Sequence, residues 1–285
     1  QRRPRSRRRR PCRGRQARAG PTVREVAPLT EIDTSPYADV AADPRSVAAR
    51  MAALHQLQSP GHVPRLMVAS LRSLTRHVLA TQTFRTRTRS IHPGESLDRD
   101  ELLALLVDAG YERVEVVEDP GTFAVRGYVV DVFVPSGKFP YRIEWFGDEI
   151  EQLRTFDPAT QRSLRGHEHL GVHPARETMV TDMEGLRPRL LALGDELQLP
   201  SRITRGVHES LRAGIDFFGR EALTPLMHDS MAAPWTYLPE ATRWLVEEPE
   251  ELRALYARMR ESYDVQRAAA VEAQQLTADP EAFFV

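Results

Sequence analysis

Cysteine is almost missing from this chain: Cys12 is the only one in 285 residues. A lone thiol closes no internal disulfide, which suits a reducing cytoplasm. Long apolar runs are lacking too. No stretch of about 18 apolar residues occurs, so neither a transmembrane helix nor a membrane partner is expected. The start has no apolar core of the kind that marks a secretory signal. Also missing is the phosphate loop G-x-x-x-x-G-K-[ST]; Gly137-Lys138 is followed by Phe139 and sits in a strand turn rather than before a helix. No acidic strand end for Mg²⁺ is apparent either. These residues are therefore expected to hold no ATP or Mg²⁺ and to carry no catalytic site.

Acid is absent from residues 1–20, which hold ten arginines. The remainder carries 29 basic against 40 acidic side chains, a net of −11, so the body should not attract DNA through its own field. The tail itself cannot bury apolar surface and reads as disordered. What is present is an ordinary apolar content of 41% and enough length for two domains, one of them carrying an insertion.

The most informative stretch runs from Asp119 to Arg162. Val129–Val134 is a β-branched run closed by Pro135-Ser136-Gly137. Tyr141–Phe146 is closed by Gly147-Asp148, and Glu149–Phe156 leads to a turn at Asp157-Pro158. This predicts three strands of an antiparallel meander. Strand alternation puts Arg142, Glu144 and Phe146 on one face, with Ile143 and Trp145 on the other. An aromatic among arginines is how a protein-binding anchor is built. The competing reading folds Phe146 over the sheet into a second small core and leaves Arg126 and Arg142 solvated.

F-A-V-R-G, P-Y-R-I-E-x-F-G-D-E-I and F-D-P-x-T-Q-R, in that order over about forty positions, resemble the N-terminal, UvrB-like module of the bacterial transcription-repair coupling factors (the Mfd family). The repair protein UvrB has a related but less similar stretch, and the Thr155 to Arg162 ending favours the coupling factors. The resemblance implies a docking module for the repair protein UvrA, with Arg126, Arg142 and Phe146 as the binding residues. Trp145 replaces the family's commoner phenylalanine on the core side.

Around that module the resemblance implies an α/β fold: a degenerate RecA-like layer without a phosphate loop, into which a small α+β antiparallel-sheet module is inserted. The expected division is a tail at 1–20, a first part of the layer at 21–90, the UvrA-binding module at 91–176, and the second part of the layer at 177–285. In the first part, Asp43-Pro44 should open a helix carrying Val47, Met51, Leu54 and Leu57, ended by Pro60-Gly61. Arg65–Ser70 should be a buried strand, followed by a helix with Leu71, Leu74 and Val78. In the module, Asp98 and Glu101 form a capping box for a helix over Arg99–Ala109, and Tyr111–Glu118 alternates as a half-exposed strand. In the last part, helices are expected over Met183–Leu197 and Thr204–Ala213. Pro234–Pro239 and Arg243–Pro249 should form a strand–turn–strand, and a long helix should run from Pro249 through Gln275.

Two sets of residues tempt a chemical reading and are set aside. His167, Glu168, His169 and His173 lie in a loop with no rigid scaffold for a metal ion. Glu144, Asp148, Glu149 and Glu151 read as a solvated strand edge, not as catalytic carboxylates. The tail has two readings, a nucleic-acid-binding arm or the product of a truncated or wrongly started frame; the second is favoured because it matches nothing in the family.

The functional expectation is an adaptor that is not itself an enzyme and acts as a cytoplasmic monomer. It recruits UvrA to RNA polymerase stalled at lesions. The family's ATP-driven translocase on double-stranded DNA, with its ATP and Mg²⁺, would lie beyond Val285. The alternatives are a nucleic-acid-binding protein working through the tail, a helicase subunit, and a UvrB-derived excinuclease fragment.

Overall fold

A computed structural model of the chain describes residues 26–38, 40–59 and 63–285. The tail, Cys12 and the Pro60-Gly61 helix stop lie outside the described residues. The first segment begins with β1 (Val26–Leu29), followed by α1 (Pro44–Gln58) and β2 (Leu66–Ala69). Asp43 caps α1 by accepting from the Arg45 amide, and Pro44 occupies the first turn. Met51, Leu54 and Leu57 form the buried stripe, with Val47 half-buried. β1 and β2 pair in parallel. β2 is a strand as expected, but it is not buried: Leu66 and Val68 are exposed.

The helix expected over Leu71 to Val78 is shorter than its apolar spacing suggests. It ends at Thr75 as α2 (Leu71–Thr75), and Val78 begins a two-residue strand, β3 (Val78–Leu79). α3 (Thr81–Thr86) and β4 (Arg89–Ile91) lead into the module.

The module opens with α4 (Arg99–Asp108). Asp98 accepts from the Asp100 and Glu101 amides, while Glu101 bonds Arg89 instead of closing the box reciprocally. Gly110, at φ +81, turns the chain out of the helix. Then come β5 (Glu112–Arg113), β6 (Thr122–Arg126), β7 (Val129–Val132), β8 (Tyr141–Phe146), β9 (Glu149–Phe156) and β10 (Ser163–Gly166). They form one six-stranded sheet in the order β10-β9-β8-β7-β6-β5. The three expected strands are its centre.

The strand expected over Tyr111–Glu118 shrinks to two residues and runs parallel to β6, because after Val114, whose amide still bonds Phe123, the chain turns to cover the sheet's other face. β11 (Leu170–Val172) pairs with β4 and closes the neck of the module. One sheet face packs on α4, with Leu102, Leu106, Phe123, Val130, Ile143, Trp145 and Leu153 in a shared core.

The last segment holds α5 (Met183–Glu196), α6 (Ser201–Arg212), a 3₁₀ stretch over Arg220–Met227, β12 (Met231–Ala232), α7 (Pro249–Glu272) and α8 (Pro280–Phe283). The expected strand–turn–strand does not form. Pro234–Tyr237 is a 3₁₀ turn whose Tyr237 drives into the core beside Phe84, and Arg243–Val246 takes no regular structure and has no ladder partner among the described residues. The strand of this region is β12, which pairs with β3. First and last segments thus share their cores: Leu29, Met51, Phe84 and Tyr237 in one, Tyr37, Met259, Tyr263 and Phe283 in another.

Candidate protein-docking face

Pairing registers across β6, β7, β8 and β9 fix which residues share a face. The rows Ala124–Asp131–Arg142–Arg154 and Arg126–Val129–Glu144–Gln152 lie on the face turned away from α4. Phe146 continues that face along β8, past a bulge on β9. Ile143 and Trp145 point the other way and are buried. Trp145 is held by its indole Nε1, which donates to the Leu97 carbonyl at 2.8 Å.

The outer face changes character along the strands. At one end the segment after β5 covers it: Val117, Ala124, Phe133 and Phe156 make the second small core. Phe156 fills that core, not Phe146. In the middle, two ion pairs lie flat on the sheet. Arg142 donates from Nε and Nη2 to both oxygens of Asp131, at 2.7 and 2.8 Å, and its guanidinium stacks 4.6 Å from the centre of the Phe156 ring. Asp131 is buried and Arg142 only 19% exposed. The Asp131 hydrogen bonds raise the Arg142 pKa above its ordinary value. Arg154 pairs with Glu144 at 2.6 Å.

At the far end, where the β6–β7 and β8–β9 hairpins lie side by side, the face is open. The Trp145 amide bonds the Tyr128 carbonyl across them. Phe146 is 80% exposed and Tyr128 69%. Arg126 is exposed, tethered by one bond from Nη2 to the Glu115 carbonyl. Gly147, at φ +63, makes the tight turn that leaves Phe146 at the tip.

The three residues singled out from sequence therefore share one sheet face but differ in kind. Phe146 and Arg126 are available, whereas Arg142 is largely committed to Asp131. Tyr128 was missed; its place in the Arg126-Gly127-Tyr128 hairpin tip was the available signal. The acidic strip does not form a strand edge, because β8 and β9 are interior strands and Glu144 is paired. The histidines disperse. His173 is buried and stacked on His55 at 4.2 Å, His167 contacts Thr155, and His169 lies near His92. No metal-binding cluster of His, Cys, Asp or Glu occurs among the described residues. No helix among them is long and apolar enough to cross a membrane.

One helix on an antiparallel meander, with a second face left partly open, defines a small α+β domain. Residues 90–177 match the family model of the UvrB interaction domain. The chain is 36% identical over 233 residues to a transcription-repair-coupling factor of Myxococcus xanthus, covering 79% of this chain and 19% of that protein. It is 30% identical over 212 residues to the transcription-repair-coupling factor of Escherichia coli, covering 72% and 18%. The UvrABC system protein B of Streptococcus agalactiae matches over a shorter stretch, 44% identical across 94 residues, or 33% of this chain. Residues 90–177 are thus similar to the UvrB interaction domain and lie within a longer stretch similar to the transcription-repair-coupling factors, of whose length the chain spans about a fifth.

Proposed function

We propose that this chain is an adaptor whose UvrB-like module binds UvrA through the open hairpin end of its outer sheet face. The observation that carries the reading is Phe146, a large apolar side chain left 80% exposed at the end of β8, on the sheet face that also bears the exposed Arg126. An exposed aromatic sharing a face with an arginine is the usual composition of an interface hot spot. Arg142 lies on the same face, where its ion pair with Asp131 ties β7 to β8. The module, 91–176, would sit within a RecA-like layer assembled from 21–90 and 177–285; the parallel β1–β2 pair and the cores shared by the two outer segments support that division. By analogy with its relatives, the chain would belong to a longer protein that brings UvrA to stalled RNA polymerase.

Titration calorimetry with purified UvrA tests this. Phe146→Ala should weaken binding by about 2 kcal/mol or more, as hot-spot truncations do, and Arg126→Glu by a comparable or smaller amount. Both positions are exposed, so stability should stay within about 0.5 kcal/mol of wild type. Arg142→Glu is a poorer probe, since it sets a carboxylate against buried Asp131 and should unfold the sheet. Unchanged affinity in both folded variants would remove the docking face.

A further inference from the structure

Away from the module, α7 crosses the chain's first segment over a small cavity of about 70 Å³. Its floor is apolar, built from Ile32, Met259 and Phe284, with Tyr263 stacked on Phe284 at 4.2 Å. Its remaining walls are Thr34, Ser35, Arg72, Arg76, Ser262 and Gln266; no carboxylate lines it among the described residues. Two arginines therefore line a pocket that has no carboxylate in its own lining.

Arg76 is the decisive member. It is 8% exposed, and its side chain has one hydrogen bond, from Nη1 to the Thr34 carbonyl at 3.3 Å. No carboxylate oxygen among the described residues comes within salt-bridge distance of it. Glu177, the acid whose charge acts most strongly on Arg76, bonds Arg50 at 3.3 Å. A buried cation in this situation is costly unless something anionic joins it. Burial presses the Arg76 pKa downward; the Glu177 charge opposes this and the Arg50 charge adds to it.

The hydroxyls are arranged to donate. The Ser35 hydroxyl oxygen accepts from the Tyr37 amide at 3.2 Å, and that of Ser262 accepts from the Gln266 side-chain amide at 2.9 Å. Each therefore keeps its own hydrogen for a further acceptor. Arg72, half-exposed at the mouth, is only loosely paired with Glu31 at 3.8 Å. The volume holds a few waters or one small oxyanion.

We propose that the Arg72–Arg76–Ser35–Ser262 cavity is a binding site for a small tetrahedral oxyanion, inorganic phosphate or the phosphate of a small phosphomonoester. Bound there, the anion neutralises Arg76 and clamps α7 to the loop before α1 and to the end of α2. The site is independent of the docking face, so its test and that of the UvrA reading fail separately.

Inorganic phosphate should raise the thermal midpoint of the chain saturably, while sodium chloride at matched ionic strength does not. Gln266→Glu, nearly isosteric, places a carboxylate at the wall and should weaken phosphate binding at least ~10-fold, measured by calorimetry. Arg76→Met should abolish binding; should that variant fail to fold, Gln266→Glu still decides. A chloride effect equal to that of phosphate, or full affinity in Gln266→Glu, overturns the site. Glycerol phosphate binding more tightly than inorganic phosphate, and lost in the same variant, would support it and assign a monoester; the reverse order would support it and assign the free ion.

Discussion

Trp145 and Phe146 are adjacent aromatics with opposite roles, and a single backbone rule separates them. Successive strand side chains point to opposite faces. Trp145 is 6% exposed with its indole N–H satisfied by Leu97, while Phe146 is 80% exposed. Trp145→Ala should cost about 3–5 kcal/mol, since it removes a large buried ring and strands the Leu97 carbonyl. Urea denaturation checks this: a loss under 1 kcal/mol would mean that the core closes around the gap without this ring. This pair was legible in the sequence because alternation needs no knowledge of the rest of the fold. The environment of Arg142 was not. Its partner Asp131 belongs to the facing strand, and the register that joins them depends on how the Pro135–Pro140 connection is folded. The sequence offered a surface arginine; pairing across β7 and β8 turned it into a half-buried one.

Capped helices and the meander of sequence-adjacent strands match expectation, while some elements whose fate rests on distant partners do not. The Asp43 and Asp98 caps and the helices that follow them rest on residues within one turn. Arg243–Val246 has the composition of a strand, yet a strand exists only where another lies beside it, and here none does among the described residues. The α5–α6 packing shows a different element-scale constraint. A Cβ at Gly194 would stand 2.3 Å from the Thr204 methyl, so the two helices meet at a position with no side chain. The neighbour is β-branched and buried, and cannot swing aside. Gly194→Ala should therefore destabilise by about 1–3 kcal/mol despite alanine's better helix propensity, and pairing it with Thr204→Ser should recover much of the loss. A stabilised single variant in thermal melts would mean that α5 and α6 slide freely.

At the scale of the whole molecule, the module is joined to the rest through buried polar residues as well as apolar ones. Arg50 of α1 reaches Glu177 at the module's end, and His228, from the last segment, bonds the Glu177 carbonyl at 2.8 Å and the Thr181 hydroxyl. His173, near the module's neck, stacks on His55 of α1 and bonds Ser136. Burial lowers both imidazoles, His173 to about 3, with a further push from His55, and His228 to about 4. The folded state thus keeps them neutral where an unfolded chain, with pKa near 6.5, takes up a proton on each. Stability is complete above pH 6.5 and falls as the pH drops from there toward 4. Each histidine contributes a slope of about 1.4 kcal/mol per pH unit once its unfolded form is protonated. Urea midpoints measured between pH 7.5 and 5 should decline accordingly, before most carboxylates titrate. His228→Gln should be weaker at pH 7.5 through its lost hydrogen bonds, yet its decline with acid should be shallower by about one proton. If that variant and His173→Gln both kept the full wild-type slope, the acid sensitivity would lie elsewhere and the histidine junction would be only a packing feature.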